Sequence, residues 1–190
     1  GSLISNAAAV KQVLKIPVIG VGGRVNDPDM AETILLSNQV DMVTMARASL
    51  ADPYLPTKAK QGHTEDILQC IGCVQGCLGP RTNGIRCLVN PFTGRETEFD
   101  FTPSQTPKNI LVAGGGISGC EFAIAAARKG HRVTIVEKSD ELGGQWRIAS
   151  VPKGKAEFAN LITWQKTQLA KLNVTIRLQT ELDKSLLQTE

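Results

Sequence analysis

The sequence predicts an α/β protein in which short parallel strands alternate with helices. Residues 18–21 are too uniformly apolar to alternate with polar residues, as is typical of a buried parallel strand, and residues 40–45 are predicted as the next buried strand. Each stretch precedes a helix-like stretch. A second strand–turn–helix pattern begins at Asn109 and contains glycines spaced as G-x-G-x-x-G. Four cysteines lie between the two patterns.

The first pattern contains two strand–helix repeats. An Ala-rich helix is predicted over residues 7–15, ahead of the first strand. Asp27 is a suitable N-cap and Pro28 a suitable first residue for the helix that follows this strand. The second strand closes with Ala46 and Arg47, and a further helix is predicted after the proline-containing turn downstream.

A basic residue follows each of these two strands. Gly23 and Arg24 come after the first strand, and Ala46 and Arg47 come after the second. In a (β/α)8 barrel, the carboxyl ends of the last two strands commonly hold a phosphate, which backbone N–H groups and a guanidinium suit. The alternative is that Arg24 and Arg47 are solvated loop arginines, and their spacing leaves both interpretations open.

Four of the five cysteines fall within eighteen residues, at Cys70, Cys73, Cys77 and Cys87. This C-x2-C-x3-C-x9-C spacing lets four thiolates converge on one centre, and the intervening glycines permit tight bends. Three close cysteines and one remote cysteine favour a [4Fe–4S] cluster. Tetrahedral zinc and structural or disulfide-bonded cysteines are the alternatives. Cys120 is expected to be an inert buried thiol.

The glycine pattern of the second half has its expected context. Gly114, Gly116 and Gly119 follow a strand and open a helix, with Ser118 in the same turn, and Glu137 ends the next strand. This is the dinucleotide fingerprint: a tight turn, close backbone approach to a pyrophosphate, close helix packing, and an acid for ribose hydroxyls. The alternative is a glycine-rich turn that binds no ligand.

A second glycine pair lies shortly after Glu137 and Lys138. Gly143, Gly144 and Gln145 offer further backbone N–H groups near the same nucleotide, whereas the alternative is an ordinary surface turn. The fingerprint suits NAD or FAD, and the acid disfavours a ribose 2′-phosphate. FAD is favoured because the cysteine segment lies just upstream, and a flavin, unlike a nicotinamide, readily exchanges single electrons with a cluster.

Composition restricts the class of protein. The 190 residues are 42% apolar and 21% charged with a net charge of +3, which is typical of a soluble globular protein. The basic residues are scattered, so no nucleic-acid partner is expected, and no apolar stretch of ~18 residues predicts a membrane span. Clustered cysteines without a secretion signal indicate the cytoplasm. The sequence lacks an initiator Met and stops within a helix-like stretch, so we expect a fragment.

These motifs together resemble the old-yellow-enzyme relatives that carry an iron–sulfur cluster. That family includes 2,4-dienoyl-CoA reductase, trimethylamine dehydrogenase and bacterial 2-enoate reductases. The resemblance rests on stretches in family order: residues 16–24, residues 45–53, the Cys70–Cys73 pair, residues 87–91 and the glycine fingerprint. One departure is that the spacing from Cys77 to Cys87 is a little shorter than usual, so the intervening loop must take a tighter route.

The resemblance implies three segments. Residues 1–68 would be the C-terminal part of a (β/α)8 barrel at its FMN-phosphate end, and residues 69–106 the iron–sulfur segment and linker. Residues 107–190 would be the N-terminal part of a Rossmann-like FAD/NAD(P)-binding domain. The cofactors implied are a [4Fe–4S] cluster on the four clustered cysteines, FMN and FAD. The residues implied for the flavins are Gly23, Arg24, Ala46 and Arg47 for FMN, and Gly114, Gly116, Ser118, Gly119, Glu137, Lys138, Gly144 and Gln145 for FAD.

The resemblance also implies an activity. In this family NAD(P)H reduces FAD, the cluster carries single electrons to FMN, and FMN reduces an activated C=C bond. The expected function is therefore that of a fragment, inactive alone, of an enoate or 2,4-dienoyl-CoA reductase. The alternatives are an amine dehydrogenase of the same architecture, a non-catalytic FAD/iron–sulfur electron-transfer module, and a zinc-stapled binding module. No catalytic acid or base is assigned, because most of the barrel would lie outside this sequence.

Overall fold

The computed structural model describes residues 3–22, 24–78 and 84–184. The chain divides into two units, Gly1–Glu96 and Thr97–Glu190. Each unit contains helices and its own parallel sheet, which confirms the predicted mixed α/β class. No helix in the described ranges is both long enough and apolar enough to cross a membrane.

The first unit contains four helices and two strands among its described residues. Short 3-10 turns occur at Thr64–Asp66 and at Glu96–Glu98, where the two units adjoin in sequence. In chain order the helices and strands are α1 (Ile4–Val13), β1 (Ile19–Val21), α2 (Pro28–Leu36), β2 (Met42–Thr44), α3 (Ala46–Ala51) and α4 (Leu55–Lys60).

Strands β1 and β2 pair in parallel, with Ile19 opposite Met42. Helix α1 covers one face of the pair, where Ile4 and Val40 are buried in a common core. The sequence predicted strands buried on both faces, but Ile19 is 58% exposed and Val21 55% exposed. The described helices of this unit therefore cover one face of the pair and leave an apolar second face.

The start of α2 agrees with the sequence. The Asp27 side chain accepts a hydrogen bond from the Met30 N–H at 2.8 Å, and Pro28 is the first helical residue. The predicted end of the second strand was wrong in one respect. Ala46 and Arg47 do not close the strand but form the first turn of α3, because the helix begins directly after Met45.

The second unit is built around three parallel strands in the order β3-β4-β5. Its buried side chains include Ile124, Ile135 and Leu169, each at most 1% exposed, so the helices after β3 and before β5 pack against the sheet. The elements are β3 (Asn109–Ala113), α5 (Ile117–Arg128), β4 (Arg132–Val136), α6 (Gln145–Ser150), a 3-10 turn (Ala156–Phe158), α7 (Ala159–Lys171) and β5 (Thr175–Arg177).

Candidate cofactor sites

The four clustered cysteines line a single pocket in the first unit. Cys70, Cys73, Cys77 and Cys87 all contribute to its wall, and each is partly buried. The rest of the lining is mostly apolar, with side chains such as Leu50 and others of the cysteine segment. The four cysteines, which are separated along the sequence, therefore meet at one pocket, as the ligands of a metal would.

The thiols of the clustered cysteines are available as metal ligands. All five cysteines are free thiols, so no disulfide is present among them. Four free thiols in one pocket suit either a tetrahedral zinc ion or a [4Fe–4S] cluster, so the choice between them rests on the spacing of the cysteines along the sequence.

The backbone of the cysteine segment bends tightly at positions suited to glycine. Gly72 has a φ of 67°, and a Cβ on Gly76 would meet the carbonyl oxygen of Arg86 at 2.5 Å. The Arg86 N–H donates to the Gly76 carbonyl at 3.1 Å, which brings the neighbours Cys77 and Cys87 together. Val74 has a φ of 53°, a strained conformation for a β-branched residue that nothing in the sequence indicated.

The segment is fastened on its N-terminal side by two buried polar side chains. The Asn26 side chain, in the loop after β1, donates to the Cys70 carbonyl at 2.9 Å. Asp52 is only 3% exposed and accepts from the Leu68 N–H at 3.0 Å. The same carboxylate binds the Lys58 ammonium at 2.6 Å, so the buried charge is paired.

A second set of hydrogen bonds fastens the segment on its C-terminal side. The Asn90 side chain donates to the Ala51 carbonyl at 3.0 Å, and the Thr93 hydroxyl donates to the Leu50 carbonyl at 2.7 Å. Both acceptors lie in the last turn of α3, where helical carbonyls have no intrahelical partner. Helix α3 is thus connected to the cysteine segment on both sides of the pocket.

The residues predicted to contact FMN phosphate are only partly placed. Gly23 lies outside the described residues. Arg24 and Ala46 are exposed, whereas Arg47 is half-buried and lines the cysteine pocket. The sequence predicted only a phosphate contact for Arg47 and did not indicate that Arg47 lies beside the thiols.

The surroundings of Cys87 oppose ionisation of its thiol. Burial raises the pKa of the Cys87 thiol, and proximity to Cys70 and Cys73 adds to the increase, although backbone N–H groups of Asn90 and Val89 oppose it. Cys87 therefore lies close enough to the other two thiols to sense their charge. A bound metal would reverse this effect, because a cation stabilises thiolates.

The glycine fingerprint in the second unit has a distinct geometry at each position. Gly114 has a φ of 98°, which suits the tight turn between β3 and α5. A Cβ on Gly119 would collide with the Gly114 carbonyl oxygen, so this glycine permits close packing. A Cβ on Gly116 would meet no atom within 4 Å, so the space in front of it is open.

The second glycine pair joins the fingerprint directly. The Gly143 N–H donates to the Gly115 carbonyl at 2.7 Å, and a Cβ on Gly144 would come within 3.4 Å of the Gly116 Cα. The two glycine turns therefore form one continuous backbone surface. Trp146 follows them, and its indole N–H donates to the Phe158 carbonyl at 2.8 Å.

Glu137 holds these turns at the carboxyl end of β4. One carboxylate oxygen accepts from the Gly115 N–H at 2.6 Å and the other from the Ser139 N–H at 2.8 Å. These hydrogen bonds, Ser139 first, lower the pKa of Glu137 although burial opposes them. The acid is therefore fixed beside the glycine turn in its charged form, and a carboxylate has capacity to accept a further hydroxyl donor.

Other predicted residues flank this surface. Ser118 lies exposed in the first turn of α5, Lys138 is exposed beside Glu137, and Gln145 is the exposed first residue of α6. Cys120 is buried as expected, and burial raises the pKa of its thiol to about 11.

The chain matches two protein families over separate stretches. Residues 2–66 match the NADH:flavin oxidoreductase / NADH oxidase family. Residues 109–171 match the family described as FAD dependent oxidoreductase.

Curated relatives align across both stretches and the cysteines between them. The chain is 46% identical to a metal reductase of Desulforamulus reducens over 177 residues, which is 92% of this chain and 26% of the relative. It is 35% identical to a cinnamate reductase of Clostridium sporogenes, again over 92% of this chain and 26% of the relative. It is 37% identical to an N,N-dimethylglycine/sarcosine dehydrogenase of Chromohalobacter salexigens, over 94% of this chain and 26% of the relative.

Solved structures show the same likeness. A complex of 2-naphthoyl-CoA reductase with 2-naphthoyl-CoA superposes with a TM-score of 0.87 at 36% identity, over 96% of this chain and 28% of that one. Histamine dehydrogenase from Rhizobium sp. 4-9 superposes with a TM-score of 0.88 at 27% identity, over 98% of this chain and 28% of that one. The chain thus spans about a quarter of the length of the proteins it matches.

The lowered pKa of Glu137 gives a prediction about pH and stability. Its hydrogen bonds stabilise the fold fully above the ordinary carboxyl pKa of 4.5, and this contribution is lost as pH falls through the lowered value. Glu137→Gln should cost about 2 kcal/mol at pH 7, because its amide turns a donor towards a backbone N–H. We expect the Tm difference from wild type to shrink between pH 5 and pH 3.

The matched control is Glu181→Gln, which removes an exposed carboxylate from the same unit. Melting followed by tryptophan fluorescence reports on this unit, because both tryptophans, Trp146 and Trp164, lie in it. A Tm difference for Glu137→Gln that stays constant from pH 7 to pH 3 would contradict the assignment of charge to these hydrogen bonds.

Proposed function

We propose, from the premise that the chain belongs to the NADH:flavin oxidoreductase family, that it holds the electron relay of an enzyme that reduces activated C=C bonds. The substrate would be an enoate or an enoyl-CoA thioester, and NAD(P)H would be the reductant. The observation that carries this proposal is the convergence of four free thiols in one pocket, fastened to the loop after β1 and to the helix after β2. We assign residues 1–68 to the barrel end, 69–106 to the cluster segment and linker, and 107–190 to the FAD-binding part.

Cys70, Cys73, Cys77 and Cys87 would hold a [4Fe–4S] cluster. The free thiols and the largely apolar wall of their common pocket support this ligand set. When bound, the cluster supplies one-electron transfer between flavins. The chain itself keeps the ligands in place through the Asn26, Asp52 and Asn90 side chains, and Leu50 and Val89 keep bulk water away.

The glycine surface of the second unit would bind FAD. Gly116 caps α5 without a side-chain partner, so the first N–H groups of this twelve-residue helix are available to a pyrophosphate. The open space before Gly116 admits such a group, and Glu137 is held where a ribose hydroxyl can donate to it. Ser118, Gly144 and Gln145 would complete the contacts, together with Lys138.

FMN phosphate would bind at the carboxyl ends of β1 and β2. Gly23, Arg24, Ala46 and Arg47 are the proposed contacts. The loop after β1 and helix α3 are both joined to the cysteine segment by hydrogen bonds, which supports a location beside the proposed cluster. The apolar exposed face of β1, with Ile19 and Val21, is the kind of surface that further barrel strands would cover.

An amine dehydrogenase is the second candidate. The 37% identity to the N,N-dimethylglycine/sarcosine dehydrogenase favours it, and the fold of the relay would serve either direction of electron flow. In that case the substrate would be oxidised at a C–N bond rather than reduced at a C=C bond. A non-catalytic electron-transfer module is the third candidate, and would react with neither substrate class.

The first prediction from this proposal concerns the metal. Anaerobically purified holoprotein should contain iron and acid-labile sulfide in equal amounts and no stoichiometric zinc, because three close cysteines and one remote cysteine favour a [4Fe–4S] cluster over zinc. Cys73→Ala should lose the cluster absorption, since it removes a ligand. Cys120→Ala is the matched control and should retain the absorption, because Cys120 lies in the other unit. Stoichiometric zinc without sulfide would refute the assignment.

The second prediction separates ligand binding from packing at the fingerprint. Gly116→Ala should reduce FAD affinity at least tenfold, because its methyl group enters the open space before the turn, whereas apoprotein stability should fall by no more than about 1 kcal/mol. Gly119→Ala should lower the Tm of the apoprotein itself, because its methyl group meets the Gly114 carbonyl. Fluorescence titration with FAD and apoprotein melting measure the two effects. Unchanged FAD affinity in Gly116→Ala would contradict the FAD site.

The third prediction decides between the candidate functions. The longer protein of which this chain would be a part, reduced as holoprotein with NADH under anaerobic conditions, should be reoxidised by a 2-enoate such as cinnamate, or by a 2-enoyl-CoA, which restores the flavin absorption at its original intensity. Oxidised holoprotein should not be bleached by N,N-dimethylglycine. Bleaching by the amine without reoxidation by enoates would favour the dehydrogenase, and no response to either would favour an electron-transfer module.

A further inference from the structure

The cysteine pocket has an unusual charge balance. Two arginines, Arg47 and Arg86, line it together with the four thiols, and every other lining residue is apolar. No carboxylate contributes to the wall among the described residues. The charged groups that the described wall offers a cluster are therefore its own thiolates and two guanidinium groups.

Arg86 is held in place by backbone atoms. Its guanidinium donates to the carbonyls of Ile85 and Gly94, both at 3.1 Å, and its own N–H donates to the Gly76 carbonyl. Gly94 has a φ of 70°, and a Cβ there would collide with the Ile85 carbonyl, so only glycine permits this close approach. Carbonyl oxygens fix the guanidinium without neutralising its charge.

The carboxylate of Glu96 accepts a hydrogen bond from the Gly94 N–H at 2.8 Å. This hydrogen bond and, less strongly, the charge of Arg86 lower the pKa of Glu96. Glu96 is exposed and does not line the pocket, so water and salt screen its charge from the thiols. Arg47 is half-buried in the first turn of α3, and its guanidinium makes no hydrogen bond or ion pair within the described part of the chain. Among the described residues, the two positive charges at the pocket wall are therefore not paired there with a carboxylate.

The total charge of the cluster decides how the two arginines would affect its reduction. A [4Fe–4S] core with two positive charges, bound by four thiolates, has two negative charges in total. One-electron reduction adds a third negative charge, which an apolar wall disfavours and nearby positive charges favour. Two arginines match the charge of the oxidised centre, and their attraction for the reduced centre is stronger still.

We propose that Arg47 and Arg86 set the reduction potential of the cluster, raising it so that the cluster accepts single electrons from a reduced flavin. The proposal rests on the proposed cluster site. Arg86 would act only on the cluster, whereas Arg47 would act both on the cluster and on the FMN phosphate. Neither arginine is a ligand of the cluster. Replacing either one should therefore shift the reduction potential of the cluster without removing iron.

The test is an anaerobic redox titration of the holoprotein with dithionite, in which the EPR signal of the reduced cluster gives its midpoint potential. Arg86→Gln should lower the equilibrium constant for one-electron reduction about tenfold, which corresponds to a midpoint potential about 59 mV lower. Arg86→Lys keeps the charge and should recover most of this shift. Lys60→Gln removes a positive charge from an exposed residue of α4 outside the pocket and is the matched control.

Iron and sulfide analysis accompanies every titration, so the two proposals fail in different ways. Wild-type protein without iron and sulfide would overturn the proposed function. A full complement of iron with an unchanged midpoint in Arg86→Gln, or an equal shift in Lys60→Gln, would overturn the role of Arg86 alone. If Arg86→Gln does not retain iron, Arg47→Gln provides the same measurement, and an unchanged midpoint there overturns the proposal.

Discussion

The first unit depends on a buried carboxylate. Asp52 is 3% exposed and accepts hydrogen bonds from the Lys58 ammonium at 2.6 Å and from the N–H groups of Tyr54 and Leu68, both at 3.0 Å. A charge in such a place is tolerated only when it is paired and fully hydrogen-bonded, so all its donors must hold their positions together. This requirement fixes the turn between α3 and α4 relative to the chain that enters the cysteine segment at Cys70.

Other polar side chains hold the cysteine segment around the rest of the pocket. Asn90 and Thr93 bind the last carbonyls of α3 from the far side of the cysteine segment, and Asn26 binds Cys70 from the loop after β1. The four thiols are therefore positioned by polar side chains that are not themselves ligands. Such supporting contacts commonly decide ligand orientation and affinity in metal sites. In the proposed relay these contacts would also join the cluster segment to the loop after β1 and to helix α3, which are assigned to FMN.

The second unit follows the same principle with another buried acid. Glu137 joins the fingerprint turn at Gly115 to the loop at Ser139, and Gly143 adds a backbone hydrogen bond to the same turn. Both candidate sites lie at the carboxyl ends of parallel strands, where loops from neighbouring strands meet. Their electrostatics differ, since the cysteine pocket carries two arginines and the glycine surface carries a fixed negative charge. The first suits an anionic cluster and the second a ribose hydroxyl.

The sequence by itself determined the α/β class, the strand–helix order, the Asp27 cap and the glycine turn, because these depend on local periodicity and on backbone preferences of single residues. Family resemblance added the expected cofactors. The tertiary structure alone decided which distant polar groups meet: Asp52 with Leu68, Asn90 with α3, and Arg86 with Gly94. It also placed Arg47 in a helix at the pocket wall. Such partners are brought together by the folding of the whole unit, and no spacing along the chain encodes a hydrogen bond from a side chain to a backbone carbonyl 39 residues away.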